Sequence, residues 1–413
     1  MESNIFTIFQ AVIFAIHIRL IISVYNTWSN FVRVQCAGKA ETMMFSIDIP
    51  VKIISGRGCV ASRPNELKLG RHAAVVCGKH SAQASGALGD VTRALSSLGI
   101  VCDILDGALP NPPLSSAYDM GLRAAALGAD FIIGIGGGSA MDSAKAVAAF
   151  AANPTIAPEE LYIPEKLQNP PLPVVLIPTT AGTGSEANPY SVLTLPDGRH
   201  KKTYSSRGAW ARVAFLDPAY TESVGRDGTI STALDAMAHA MESYLSPKSN
   251  DLSRMLSLYA GRAIWDVLSE YPDTFTPDMR DALACASCAA GAAISITGTG
   301  FPHPLGYSLT LLDGIPHGKA CAVFHGDYIE YNRRTPEGAA LIDAFAAGIG
   351  TKPSLLAEYL PSLAAVRLHF TDAEIAERVS LISNAKNYTN SPYVLSDEEK
   401  TEIYRKHFGG KNA

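Results

Sequence analysis

Over the first half of the chain, short apolar runs alternate with segments of helical spacing. "HAAVVCG" (72–78) is an unbroken apolar run ending in glycine, as in a parallel strand buried on both faces. "SAQASGALGDVTRALSSLG" then repeats apolar residues at helical intervals, and "IVCDILDG" is the next strand. A helix over "SSAYDMGLRAAALG" and a strand over "ADFIIGIGGGS" follow, with further strands in "PLPVVLIPTT" and "ARVAFLDP". This alternation predicts a parallel sheet covered by helices on both faces. After about Thr221 the strand signals stop. "DGTISTALDAMAHAMESYL", "NDLSRMLSLYAGRAIWDVLSEY", "PDMRDALACASCAAGAAISI" and "TDAEIAERVSLISNA" all carry helix periodicity, with polar or capping residues near their starts. The expectation is an α/β domain over 43–222 and an all-helical domain over 223–413, with the cleft between them as the place for a ligand.

The first 42 residues do not fit this pattern. "IFTIFQAVIFAIHIRLIISVY" (5–25) is long enough to cross a bilayer but carries Gln10, His17 and Arg19, which are costly there. No positive charge precedes it and no A-x-A cleavage site follows, so a signal peptide fits badly. Residues 1–42 are read as an extension outside the fold, with Met43 as the natural start; a membrane anchor is the less favoured alternative.

Composition narrows the function. With 413 residues, 47% hydrophobic and 18% charged, the chain has the make-up of a two-domain packed enzyme. A net charge of -5 gives no reason to expect nucleic acid or an acidic membrane as partner. Seven scattered cysteines read as reduced thiols of a cytoplasmic protein. The "CASC" at 285–288 reads as one face of a closely packed helix.

Three motifs carry chemistry. In "GIGGGSAMDSAKAVA" a buried strand runs into Gly136, Gly137, Gly138 and Ser139, and a helix opens at once, with Asp142 and Lys145 beyond. Glycines let backbone N–H groups approach a ligand and the helix N-terminus favours negative charge, which makes a pyrophosphate seat. "PTTAGTGSEANPYSVLT" puts the hydroxyls of Thr179, Thr180, Thr183 and Ser185 at a strand's C-terminal end, where they suit a cofactor's ribose, amide or phosphates. In "ALDAMAHAMESYL", Asp235 and His239 share one apolar helix face, with Glu242 near the same stripe. A carboxylate there needs a counter-ion. With one or both of His303 and His317 from "GTGFPHPLGYSLTLLDGIPHG", it makes a histidine–carboxylate set for Fe(II), or Zn(II) as the alternative. The other histidines find no matching partner.

In this order the motifs "GGGSAMDSAK", "PTTAGTGSE" and "DAMAHAMESY" resemble the iron-containing alcohol dehydrogenase family, whose fold is related to dehydroquinate synthase. "NYTNSPYVLSDEEKTEIY" is similar to the family's closing segment, so the resemblance covers nearly all of the chain outside the extension. It implies a dinucleotide-binding first domain, a metal-binding second domain, and hydride transfer between nicotinamide and a small alcohol or aldehyde. It assigns Asp235, His239 and His317 to the metal. A third histidine ligand is replaced here by Thr299, and His303 matches a residue suited to proton relay, its imidazole expected neutral near a helix start. Because Pro302 and Pro304 stiffen the backbone, three protein ligands plus solvent are favoured over His303 as a fourth. NAD-specific members carry an Asp after the early strand; here Gly78 stands there with Lys79 next, which favours NADP(H) over NAD(H). Lys201 or Lys202 resembles a cofactor-contacting lysine. The family resemblance further implies a homo-oligomer, a dimer or larger. The competing readings are a dehydroquinate-synthase-like lyase, for which the site is poor in Arg and Lys, and a catalytically decayed nucleotide-binding homologue, motivated by Thr299.

Overall fold

Six parallel strands form the central sheet: β1 (Lys52–Ser55), β2 (His72–Cys77), β3 (Val101–Leu105), β4 (Phe131–Gly136), β5 (Val174–Pro178) and β8 (Val213–Leu216), in the order β1-β8-β5-β4-β2-β3. The apolar runs are continuous because both faces are covered. Val75, Ile133 and Ile177 pack to one side with Val91 and Leu95, while Val76, Ile132 and Leu176 pack to the other with Met141 and Val147. Each such fully buried side chain contributes about 1.5–3 kcal/mol relative to exposure. Between β5 and β8 lies an antiparallel hairpin of β6 (Ser191–Thr194) and β7 (Lys201–Tyr204). The computed structural model describes residues 45–410. The readings of 1–42 as an extension and of 5–25 as a membrane anchor lie outside the described residues.

The longer helices of the sheet region are α1 (Ala87–Ser97), α2 (Leu114–Leu127) and α3 (Gly138–Ala152). The single helix expected over 81–99 is two, Ser81–Ala84 and α1, because Gly86 takes a left-handed φ of 84° between them. Sequence patterning missed β1 and the hairpin. β7 reads "KKTY", with too little apolar alternation to announce a strand.

Beyond Thr221 the described residues are helical, as expected. α4 (Arg226–Leu245), α5 (Asp251–Ser269) and α6 (Pro277–Thr297) lead into α7 (Pro302–Leu312) and α8 (His317–Ala322). Their core gathers Leu234, Met237, Tyr244, Ile264, Phe301 and Phe324, among others. α6 is long and apolar enough to cross a membrane, but 61% of its most apolar window is buried inside the protein. Its small residues serve close packing: a Cβ at Gly291 would lie 2.2 Å from the Gly184 carbonyl oxygen. From Ile49 onward, sheet and helices belong to one compact unit.

Candidate active site

The strand order reverses at β2 and β4, and a parallel sheet opens a crevice beyond the carboxyl ends of its strands at such a point. A cavity of about 1230 Å³ occupies that crevice and continues to α4, α7 and α8. Gly78, Lys79, Gly137, Gly138, Ser139, Asp142, Thr180, Thr183, Ser185 and Lys201 line it, as do Asp235, His239, His303 and His317. Gly136 and Thr179 do not; the buried Thr179 donates its N–H to the Gly136 carbonyl at 2.9 Å.

The turn from β4 into α3 depends on glycine. Gly136 has φ 149°, and a Cβ at Gly138 would lie 2.5 Å from Thr183 Cγ2. The N-terminal N–H groups of α3 therefore remain open toward the cavity. Below the turn a buried network locks the following loop. Lys145 Nζ donates to the Ser185 carbonyl, Ser185 Oγ and the Tyr190 carbonyl, each at 2.7 Å. Asp142 accepts from Ser185 Oγ at 2.6 Å and from the Val192 N–H at 2.9 Å. Asp142 and Ser185 thus face the cavity while their polar atoms hold the loop in place. Burial pushes Lys145 down to about 8, against the opposing pull of Asp142 and Glu186. Of the two lysines on β7, Lys201 faces the cavity and donates to Asn111 Oδ1 at 3.0 Å, whereas Lys202 lies over the Tyr162 ring. The strand's alternation separates them.

At the far end, α4 presents Asp235, His239 and Glu242 on one buried stripe. α7 brings His303 and α8 brings His317. Asp235 Oδ1 lies 3.8 Å from His239 Nε2, 3.6 Å from His303 Nε2 and 3.8 Å from His317 Nε2. Asp235 is only 3% exposed, and this oxygen has no hydrogen-bond partner among the described residues. A buried acceptor ringed by imidazole nitrogens fits a divalent cation, and one donor atom each from Asp235, His303, His317 and Cys321 comes within 4.8 Å of the others.

The sequence reading did not assign Glu242 a role, and it is central. It is fully buried, accepts the Gly300 N–H at 2.5 Å and pairs with His303 Nδ1 at 2.8 Å. Burial disfavours a charged His303, but Glu242 and Asp235 outweigh it and raise the imidazole to about 10. Burial also raises the Glu242 carboxyl, so the pair holds a proton in common. The expectation of a neutral His303 near a helix start left out Glu242, whose carboxylate pulls the imidazole toward the charged form. His239 and His317 behave oppositely, lowered by burial to about 4 and about 3, so each neutral ring carries a lone pair on one nitrogen. Cys321 and Tyr307, which stacks near His317, were also missed by sequence reasoning. Only the spacing of Cys321 four residues after His317 on α8 could have signalled it. Thr299 reaches the cavity, its hydroxyl accepting from Asn387 Nδ2 at 2.6 Å.

Comparison with known proteins agrees with this geometry. Residues 50–218 match the iron-containing alcohol dehydrogenase family, and residues 229–354 match the C-terminal region of the Fe-containing alcohol dehydrogenase family. Sulfoacetaldehyde reductase of Bilophila wadsworthia (strain 3_1_6) is 34% identical over 66% of this chain and 72% of its own length. An iron-containing alcohol dehydrogenase of Thermotoga maritima superimposes with a TM-score of 0.82 at 35% identity, over 88% of this chain and 99% of that one. A sulfoacetaldehyde reductase of Bifidobacterium kashiwanohense in complex with NAD+ gives a TM-score of 0.77 at 26% identity, over 88% and 99% of the two chains. These similarities support the dehydrogenase reading, not the lyase or the decayed homologue. The chain belongs to the iron-containing alcohol dehydrogenase family and is an oxidoreductase acting between small alcohols and aldehydes.

Proposed function

We propose that this chain works as an NADPH-dependent reductase of small aldehydes with Fe(II), or Zn(II) as the alternative, held by Asp235, His239 and His317. The observation that carries the reading is the buried, unpartnered Asp235 Oδ1 among imidazole nitrogens, at the opposite end of one cavity from the glycine turn of α3. When bound, the metal supplies a Lewis acid for the carbonyl oxygen and the nicotinamide supplies hydride. Gly137, Gly138 and Ser139 would seat the pyrophosphate, with Gly136 turning the strand into that seat and Asp142 and Ser185 holding it. Thr180, Thr183 and Lys201 would shape the ribose and nicotinamide end, with Thr179 buried off the cavity. His303, tied to Glu242, would hold the proton that completes the alcohol. On this reading 43–222 is the dinucleotide-binding domain and 223–413 is the metal-binding domain. We also place the protein in the cytoplasm as a homo-oligomer, a dimer or larger. The cysteines at 59, 77, 102, 285, 288 and 321 are all free, which suits a reducing compartment.

Anaerobic removal of metal, followed by add-back of Fe(II), Zn(II) or nothing, tests the core of the reading. NADPH oxidation with short aldehydes should appear only with metal. Cofactor binding without turnover under either ion overturns it.

The NADPH preference rests on Gly78 and Lys79 at the end of β2. A Cβ at Gly78 would meet the Ala108 carbonyl at 3.4 Å and Ser81 Oγ at 3.7 Å, so a side chain fits with little adjustment. Gly78→Asp should then move the ratio of kcat/KM for NADPH over NADH toward NADH by about tenfold or more, since a carboxylate repels a 2′-phosphate and accepts a 2′-hydroxyl. An unchanged ratio removes the preference.

A further inference from the structure

A buried cysteine is by default a small apolar side chain. Two observations set Cys321 apart. It is 0% exposed, one helical turn beyond His317 on α8, and its Sγ lies 3.9 Å from both ring nitrogens of that histidine. Independently, the unpartnered Asp235 Oδ1 is aimed into the same space, and the donor atoms of Asp235, His303, His317 and Cys321 all fall within 4.8 Å of one another. Two ligands on a common tetrahedral ion stand about 3.3–3.7 Å apart, given metal–ligand bonds of 2.0–2.3 Å. The sulfur and oxygen therefore reach a shared ion with small side-chain rotations.

Thr299, which also lines this end of the cavity, offers only a hydroxyl already engaged by Asn387. His303 is held through Nδ1 by Glu242, and its Nε2 stands 3.0 Å from His239 Nε2, which makes His303 the competing donor for the place beside Asp235 and His317. We propose that Cys321 Sγ is a ligand of the metal, completing with Asp235, His239 and His317 a donor set of one oxygen, two nitrogens and one sulfur. This rests on the metal-dependent reading above. As the ion binds, the S–H bond breaks, the proton leaves to solvent and the thiolate lone pair forms the bond to the metal, with no change of oxidation state. A thiolate makes the site softer, favouring Zn(II) and Co(II) over Mg(II) and Mn(II).

Cobalt reads this directly. The full chain, stripped of metal and loaded with Co(II) under argon, should show a sulfur-to-cobalt charge-transfer band in the near ultraviolet. Cys321→Ser, close in size to the native residue, and Cys321→Ala should both lose the band. By chelator competition both should hold Co(II) and Zn(II) ~10-fold or more weakly, an effect at least as large as loss of a residue that merely orients a ligand. Circular dichroism and melting of the metal-free proteins separate ligand loss from misfolding. A wild-type protein that binds Co(II) without the band, or a band that persists in Cys321→Ser, overturns the ligand assignment and leaves metal dependence standing. If His303→Ala weakens Co(II) binding while Cys321→Ala does not, His303 occupies the place instead. A wild-type chain that takes up none of Co(II), Zn(II) or Fe(II) overturns both readings together.

Discussion

Asp235→Asn is expected to lower kcat/KM for aldehyde reduction by ~10²–10³-fold, the loss of several kcal/mol of charge stabilisation at the reacting oxygen. The substitution preserves shape and removes charge. Burial alone would raise the Asp235 carboxyl, but His239, His317 and His303 outweigh it and hold it well below the usual carboxylate range. On the proposed reading it is the anionic donor among nitrogen donors, and an amide in its place would bind a divalent cation far more weakly. The metal-free fold should also lose some stability, because the neighbouring imidazoles favour the charged carboxylate that asparagine removes. Asp235 Oδ1 has no hydrogen-bond partner among the described residues, so that loss comes from charge and not from a broken hydrogen bond. Steady-state kinetics at saturating metal, together with melting curves of the stripped proteins, separate the two effects. Turnover within about tenfold of wild type would remove Asp235 from the metal set.

Lys145→Met is expected to act mainly on the fold, destabilising it by ~3–5 kcal/mol, the usual consequence of breaking a buried charge pair from one side. Lys145 is 0% exposed, and its three donors are fully used by Ser185 and Tyr190. Asp142 Oδ1 lies 3.9 Å away and would lose its nearest cation. Methionine nearly fills the stem's volume, so the loss comes from charge and hydrogen bonds, not from a cavity. The loop released is the one that carries Thr183 to the cofactor end of the cavity, so KM for the cofactor should rise as stability falls. Denaturant titration and cofactor KM read the two effects. A stability change under about 1 kcal/mol, ordinary for a substitution away from such a network, would show that the network carries little.

Both sites were partly visible in the amino-acid order. Asp142 and Lys145 follow the glycine turn by less than two helical turns, and Asp235 and His239 share a helix face. What they touch was not visible. Ser185 lies forty residues from Lys145, and His303 sixty-one from Glu242, so no local spacing links either pair.

By itself the sequence determined the parallel sheet, the helical second half, the glycine turn and the Asp235–His239 pair. Each is a product of short-range periodicity: a strand buried on both faces is apolar throughout, and a helix repeats its buried face every three or four residues. Only the tertiary structure decided that Glu242 pairs with His303, that Lys201 and not Lys202 faces the cavity, and that Cys321 lies close to Asp235 and His317. Those outcomes depend on how α4, α7, α8 and the hairpin pack together. A residue's chemistry at such a junction follows from neighbours distant in sequence, whose charge and burial leave no periodic trace in the chain.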